Sequence, residues 1–99
     1  MATRLRRSSG NVFRDLGFRS GEAENLRIRS ELMARMRKVI QDEGLTQARA
    51  ARLLGVSQPR VSDLVRGRID LFSIDALVNM LAKVGIRVTV RARARTRAA

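Results

Sequence analysis

Apolar residues recur at helical spacing through four separate stretches of the chain. The longest stretch, residues 22–43, carries one apolar stripe formed by Leu26, Met33, Met36, Val39 and Ile40. Shorter stretches with the same periodicity follow at 47–54, 58–66 and 74–84. Each of the four ends at a glycine, and the last three begin after a Thr or Ser that can cap a helix. The pattern therefore predicts four helices joined by short turns.

After the fourth stretch the period changes from helical to two. Apolar residues now alternate with Arg and Thr, which predicts a half-buried strand over residues 86–91. A strand needs a partner for its backbone groups. One candidate is the apolar stretch at 11–18, and the other is the same strand in a second copy of the chain. The second alternative makes a dimerisation element of Ile86, Val88 and Val90.

The charge of the chain is high, positive and concentrated at its ends. The 99 residues carry a net charge of +12, to which residues 1–20 contribute +4 (five Arg, one Asp) and residues 87–99 contribute +5 (five Arg). Such an excess favours a polyanionic partner. We therefore divide the chain into a basic N-terminal arm (1–21), a folded domain (22–85), the strand (86–91) and a disordered Arg-rich tail (92–99).

Several functional classes are disfavoured by what the sequence lacks. The chain has no His and no Cys, which are the commonest catalytic bases, thiol nucleophiles and metal ligands, and it has no GxxxxGK phosphate loop. We expect no enzyme activity, no cofactor and no metal. No apolar run approaches the ~18 residues of a membrane span, so we expect no membrane partner. The absence of Cys suits a reducing compartment, and we expect a cytoplasmic protein.

One segment carries a recognisable motif. Residues 45–67, LTQARAARLLGVSQPRVSDLVRG, combine a short helix, a Gly-containing turn and a second short helix. Together with the flanking helices, over about 22–85, this segment resembles the Xre/Cro-type helix-turn-helix family, which includes phage repressors. The resemblance implies an all-α domain of four to five helices, here followed by a short C-terminal β-strand. It also implies binding to double-stranded DNA, with the second motif helix in the major groove.

The family pattern implies a set of DNA-contacting residues. Gln47 is expected to touch a phosphate and to brace Gln58, which can pair with adenine. For Arg60, guanine pairing, a phosphate contact and a solvated surface charge all stay open. Asp63 is expected either to accept from cytosine or to be a solvated or salt-bridged helix residue. Pro59 can offer only an apolar contact. The full set is Gln47, Ser57, Gln58, Pro59, Arg60, Ser62, Asp63, Arg66 and Arg68, of which the last two and Ser57 suit phosphates.

A narrower resemblance extends over about Asn11 to Val90. The segments NVFRDLGF, QPRVSDLVRG and IDALVNMLAKVG, with the following strand, are similar to HigA-type antitoxins, which bind a toxin and repress their own operon. This implies a homodimer on a palindromic operator at the bacterial nucleoid, with a RelE-like toxin RNase as partner. The expected partner-binding residues are Val12, Phe13, Leu16 and Phe18.

Three alternatives remain at this point. The apolar residues at 11–18 can instead belong to the core, under a folded-back N-terminus. The protein can be a free-standing regulator without a toxin. The Arg-rich tail can bind RNA, since arginine-rich segments fold on RNA.

Overall fold

A computed structural model describes residues 11–94 of the chain and shows an all-α fold. The helices are α1 (Val12–Asp15), α2 (Ser20–Asp42), α3 (Gln47–Leu54), α4 (Gln58–Val65) and α5 (Ile74–Lys83), with a 3₁₀ turn (Ile69–Leu71) between the last two. The four predicted helices are confirmed within two residues at each end. Residues 1–10 of the predicted basic arm and residues 95–99 of the predicted disordered tail lie outside the described residues.

Three of the helices begin where the sequence predicted their caps. In each case a hydroxyl oxygen accepts a hydrogen bond from the backbone N–H three residues later, which satisfies one of the free donors at a helix start. The pairs are Thr46 with Arg49 (3.1 Å), Ser57 with Arg60 (3.3 Å) and Ser73 with Ala76 (3.1 Å). Such a cap contributes about 1 kcal/mol, so these boundaries follow from local sequence.

The core forms where α2 crosses α5 and the pair α3–α4. Helix α2 contributes its predicted stripe, in which Val39 is only partly buried and the other members are buried. The side chain of Phe72, which follows the 3₁₀ turn, is 1% exposed and lies at the centre of this core. The largest fully buried side chains are Phe72, Met36, Leu64, Leu77, Leu81 and Val61.

The turn between α3 and α4 depends on Gly55. This residue ends α3 in the left-handed conformation, with φ at +69°, and its N–H donates to the carbonyl of Arg52 at 3.3 Å. A residue with a Cβ is strained at such angles, whereas glycine adopts them freely. The chain can therefore leave α3 and start α4 after only Val56 and Ser57.

The N-terminal segment is helical rather than extended. The Asn11 side chain caps α1, accepting from the N–H of Phe13 at 2.9 Å, and its Nδ2 donates to the carbonyl of Ala23 at 3.2 Å. The rings of Phe13 and Phe18 meet edge to face with centroids 6.1 Å apart. Because Asn11 ties this segment to α2, the idea that residues 11–18 pair as a strand with 86–91 is wrong.

The C-terminal segment does not form the predicted strand within the single described chain. Ile86 and Val88 are half-buried against the core and alternate with exposed Arg87 and Thr89, as a period of two predicts. The alternation stops at Val90, whose side chain is 83% exposed. No backbone hydrogen bond joins residues 87–91 to the rest of the described chain, and without a paired neighbour there is no strand.

Candidate nucleic-acid interface

Helix α4 presents a polar face away from the core. At 100° per residue, Pro59, Ser62, Asp63 and Arg66 point away from the buried pair Val61 and Leu64. Pro59 lies in the first turn, where a helix does not need its N–H, and α4 still begins at Gln58. This face has the dimensions and chemistry of a helix that enters the major groove.

The structure places the sequence-predicted DNA-contacting residues on three consecutive parts of the motif. They lie at the start of α3, along the first two turns of α4 and in the loop that follows α4. Arg60, Ser62 and Asp63 are half-buried. The exposed members are Gln47, Ser57, Gln58, Pro59, Arg66 and Arg68.

Arg60 is held against its own chain. Its Nη1 donates to the carbonyl oxygen of Leu71 at 2.7 Å, and its guanidinium carbon lies 4.1 Å from the centroid of the Phe72 ring. Both contacts reach forward to the segment after α4, since Arg60 lies on the flank of the helix rather than on its outward face. Arg60 in this structure is therefore not a freely solvated surface charge.

A second arginine holds the same segment from α2. The Nη1 of Arg29 donates to the carbonyls of Ile69 (3.0 Å) and Phe72 (3.4 Å), while its Nε donates to Asn25. Sequence reasoning missed this residue, because an Arg in an amphipathic helix gives no signal of a partner forty residues along the chain. The segment Ile69–Phe72 is thus fixed by two guanidinium groups, which we call the arginine clamp (Arg29 and Arg60).

Two further cations lie beside the turns that bracket α4. A Cβ built on Gly67 would lie 2.9 Å from Nη1 of Arg37, and one built on Gly55 would lie 3.1 Å from Nζ of Lys83. Both basic residues are exposed. They were not predicted, because they come from α2 and α5 and reach these turns only through the packing of the helices. They add positive charge beside both ends of α4, which suits a phosphate backbone.

The described ion pairs lie along α2, away from the motif. Arg27 pairs with Glu24 and Glu31, and Lys38 pairs with Asp42 at 3.1 Å. The hydrogen bond from Arg27 holds the pKa of Glu24 below its ordinary value. Within residues 11–94 no cluster of acidic residues could hold a metal ion, and no helix there has the length and apolar character to cross a membrane.

Comparisons with known proteins agree with this geometry. A family profile described as "Helix-turn-helix domain" matches residues 12–93. A solved structure provisionally named an XRE family transcriptional regulator is 32% identical, with a TM-score of 0.67, covering 79% of this chain and 90% of that chain. No curated protein matches the chain.

Proposed function

Because the chain belongs to the helix-turn-helix domain family, as an XRE-type DNA-binding transcriptional regulator, we propose that it is a repressor and the antitoxin of a toxin–antitoxin module. In this proposal a homodimer binds a palindromic operator and autoregulates the operon. The observation that carries DNA recognition is the outward polar face of α4, which begins at Pro59 and lies beside the exposed Gln58. A protein with this activity works at the nucleoid, in the bacterial cytoplasm.

The proposed contacts divide into base and phosphate contacts. Gln58 pairs with adenine, Pro59 meets a thymine methyl group, and Ser62 and Asp63 lie one turn further into the groove. Arg60, which binds the Leu71 carbonyl and stacks on the Phe72 ring, supports α4 from its flank. The phosphate contacts are assigned to Gln47, Ser57, Arg66 and Arg68.

The test is selection of duplexes from a random-sequence pool by the full chain. Binding is then measured on a selected duplex and on a scrambled duplex of the same composition. Gln58→Ala should cost ~1–3 kcal/mol on the selected duplex and much less on the scrambled one. The control is Arg35→Ala, which removes an exposed charge from α2 and should spare the preference for the selected duplex. Equal losses for Gln58→Ala on both duplexes would show that Gln58 touches only the DNA backbone.

The homodimer is proposed to form through residues 86–91. Two observations support this: the backbone of 87–91 has no partner within the described chain, and Val90 is 83% exposed. Pairing with the same segment of a second copy would satisfy these backbone groups and cover Val90. An inverted repeat with half-sites about one helical turn (~34 Å) apart fits such a dimer.

The toxin-binding element is proposed to be the exposed apolar surface of α1 and of the turn that follows it. Val12 and Leu16 lie one turn apart and are 59% and 69% exposed, and Phe18 is 41% exposed. Phe13 is half-buried and contributes mainly by holding Phe18 in place. A cluster of exposed apolar side chains of this kind is typical of protein-binding surfaces.

A pull-down with the product of the neighbouring gene tests this element. Leu16→Glu should abolish binding of a RelE-like RNase, whereas Leu53→Glu, at another exposed apolar position on α3, should not. Full binding by a variant lacking residues 1–20 would place the toxin site elsewhere. If the neighbouring gene encodes no such protein, the free-standing regulator is the correct alternative. RNA binding that disappears with residues 92–99 would instead support the RNA-binding alternative.

A further inference from the structure

One side chain of α4, the proposed recognition helix, is held by the segment that follows the helix. Arg60 lies in the first turn of α4, two residues after Gln58, and its guanidinium is engaged by the Leu71 carbonyl and the Phe72 ring. We propose that Arg60 is a positioning residue for DNA recognition. It keeps these contacts in the DNA complex and orients the first turn of α4, instead of pairing with a base. The inference rests on the proposed insertion of α4 into the groove.

Phe72, whose ring the Arg60 guanidinium contacts, is itself fixed in the core. Phe72 is 1% exposed and packs in the core, and Arg29 binds the Phe72 carbonyl from α2. The arginine clamp therefore connects α4 to α2 through one short segment. A base-reading side chain works only if the helix that carries it keeps its orientation, so fixing this turn gives Gln58 a defined approach to the base.

Moving the Arg60 guanidinium from Leu71 and Phe72 to a DNA base would break two favourable contacts. If Arg60 swung out to a guanine, the Leu71 carbonyl would lose a charge-assisted hydrogen bond and the guanidinium would lose its stacking on the ring. Its position on the flank of α4 also points it back to the protein, whereas Pro59, Ser62 and Asp63 have the outward positions. The residues that face outward can contact bases without giving up contacts of this kind.

The direct test is nuclear magnetic resonance of the full chain, free and bound to a duplex selected from the random pool. Protons of the Arg60 side chain lie above the Phe72 ring, so ring currents should shift their signals from ordinary arginine positions. We expect these shifted signals to persist in the DNA complex. Their return to ordinary positions in a complex that forms would overturn the inference and leave the proposed function standing. Failure of the wild-type chain to select any duplex would overturn both.

A double-mutant cycle gives an independent measurement. Phe72→Leu removes the ring face while keeping an apolar core residue. If Arg60 acts through Phe72, Arg60→Ala should weaken binding to the selected duplex ~10-fold in the wild-type background and much less in the Phe72→Leu background. Equal weakening in both backgrounds would mean a direct DNA contact. Arg66→Ala is the matched control, expected to cost the same in both, because Arg66 has no contact with the ring.

The conservative variant separates positioning from phosphate binding. Lysine keeps the charge but lacks the planar group that stacks on the ring and donates to the carbonyl in a fixed geometry. Arg60→Lys should therefore bind the selected duplex nearly as weakly as Arg60→Ala. Restoration of wild-type affinity by lysine would show that only the charge matters and would contradict the positioning role. The wild-type resonance experiment decides the question even if Phe72→Leu fails to fold.

Discussion

Replacing Gly55 by alanine tests whether the turn of the motif depends on a left-handed residue. Gly55 has φ at +69°, where an L-residue loses about 1–2 kcal/mol relative to glycine. The added Cβ would also lie 3.1 Å from Nζ of Lys83. That atom is the far end of a flexible side chain, so it can move away at little cost. We therefore expect Gly55→Ala to lower the free energy of unfolding by ~1–2 kcal/mol, nearly all from the backbone.

Two other glycines provide matched controls. Gly44 has φ at +62° with nothing within 4 Å of a built Cβ, so Gly44→Ala should show the backbone cost alone. Gly21 lies in the first turn of α2 with open space around it, so Gly21→Ala should stabilise the protein by roughly 0.5 kcal/mol. The three substitutions add the same methyl group, and only the backbone angle predicts the sign of its effect.

The assay is urea unfolding followed by circular dichroism, with thermal unfolding as a second measurement. For a domain of this size each 1 kcal/mol corresponds to about 4–8 °C in Tm. An unfolding free energy for Gly55→Ala equal to that of Gly21→Ala would refute the reasoning. A cost for Gly55→Ala far above that for Gly44→Ala would instead show that Lys83 is fixed beside the turn.

Three further outcomes are expected. Val88→Pro should convert the proposed dimer to a monomer in light scattering, because proline cannot donate to a strand pair; a dimer that persists would place the interface on the helices. Removing residues 92–99 should flatten the plot of log K for DNA binding against log salt, whose slope is about −0.9 for each phosphate contact. An unchanged slope would mean that the tail does not touch DNA. Because its hydrogen bond with Arg27 lowers the pKa of Glu24, that carboxylate adds stability above its ordinary pKa of 4.5 and loses it as the pH falls through the lowered value. In urea unfolding, Glu24→Gln should therefore have a lower free energy of unfolding than wild type at pH 7 and the same free energy in acid. A difference that does not depend on pH would contradict this.

The parts of the fold that the sequence predicted well depend on interactions between near neighbours. Thr46, Ser57 and Ser73 cap their helices through bonds to backbone groups three residues away, so the signal and its effect lie in the same short stretch. The apolar stripe of α2 and the turn at Gly55 are equally local. These features predicted the four helices and the helix-turn-helix motif, and with it the class of regulator.

The N-terminal helix and the C-terminal strand show where local pattern was insufficient. Residues 11–18 have apolar side chains without a long helical period, so the pattern fitted an arm, a core segment or a strand. The bond from Asn11 to the Ala23 carbonyl, across twelve positions, holds the segment against α2, and a period in the local sequence does not predict such a bond. The period-two pattern at 86–91 predicted which side chains face the core as far as Val88, but not the hydrogen-bonded pairing that defines a strand.

The orientation of Arg60 was decided by tertiary structure alone. From the sequence, an arginine early in a recognition helix suits a base, a phosphate or solvent equally well, because its long side chain can reach all three. The choice made in the structure depends on Leu71 and Phe72, which reach Arg60 only when the chain turns back after α4. Local sequence thus determined that a helix carrying Arg60 would form. Which partner its guanidinium takes was determined by packing between segments distant in the chain, because that packing sets which acceptors lie within its reach.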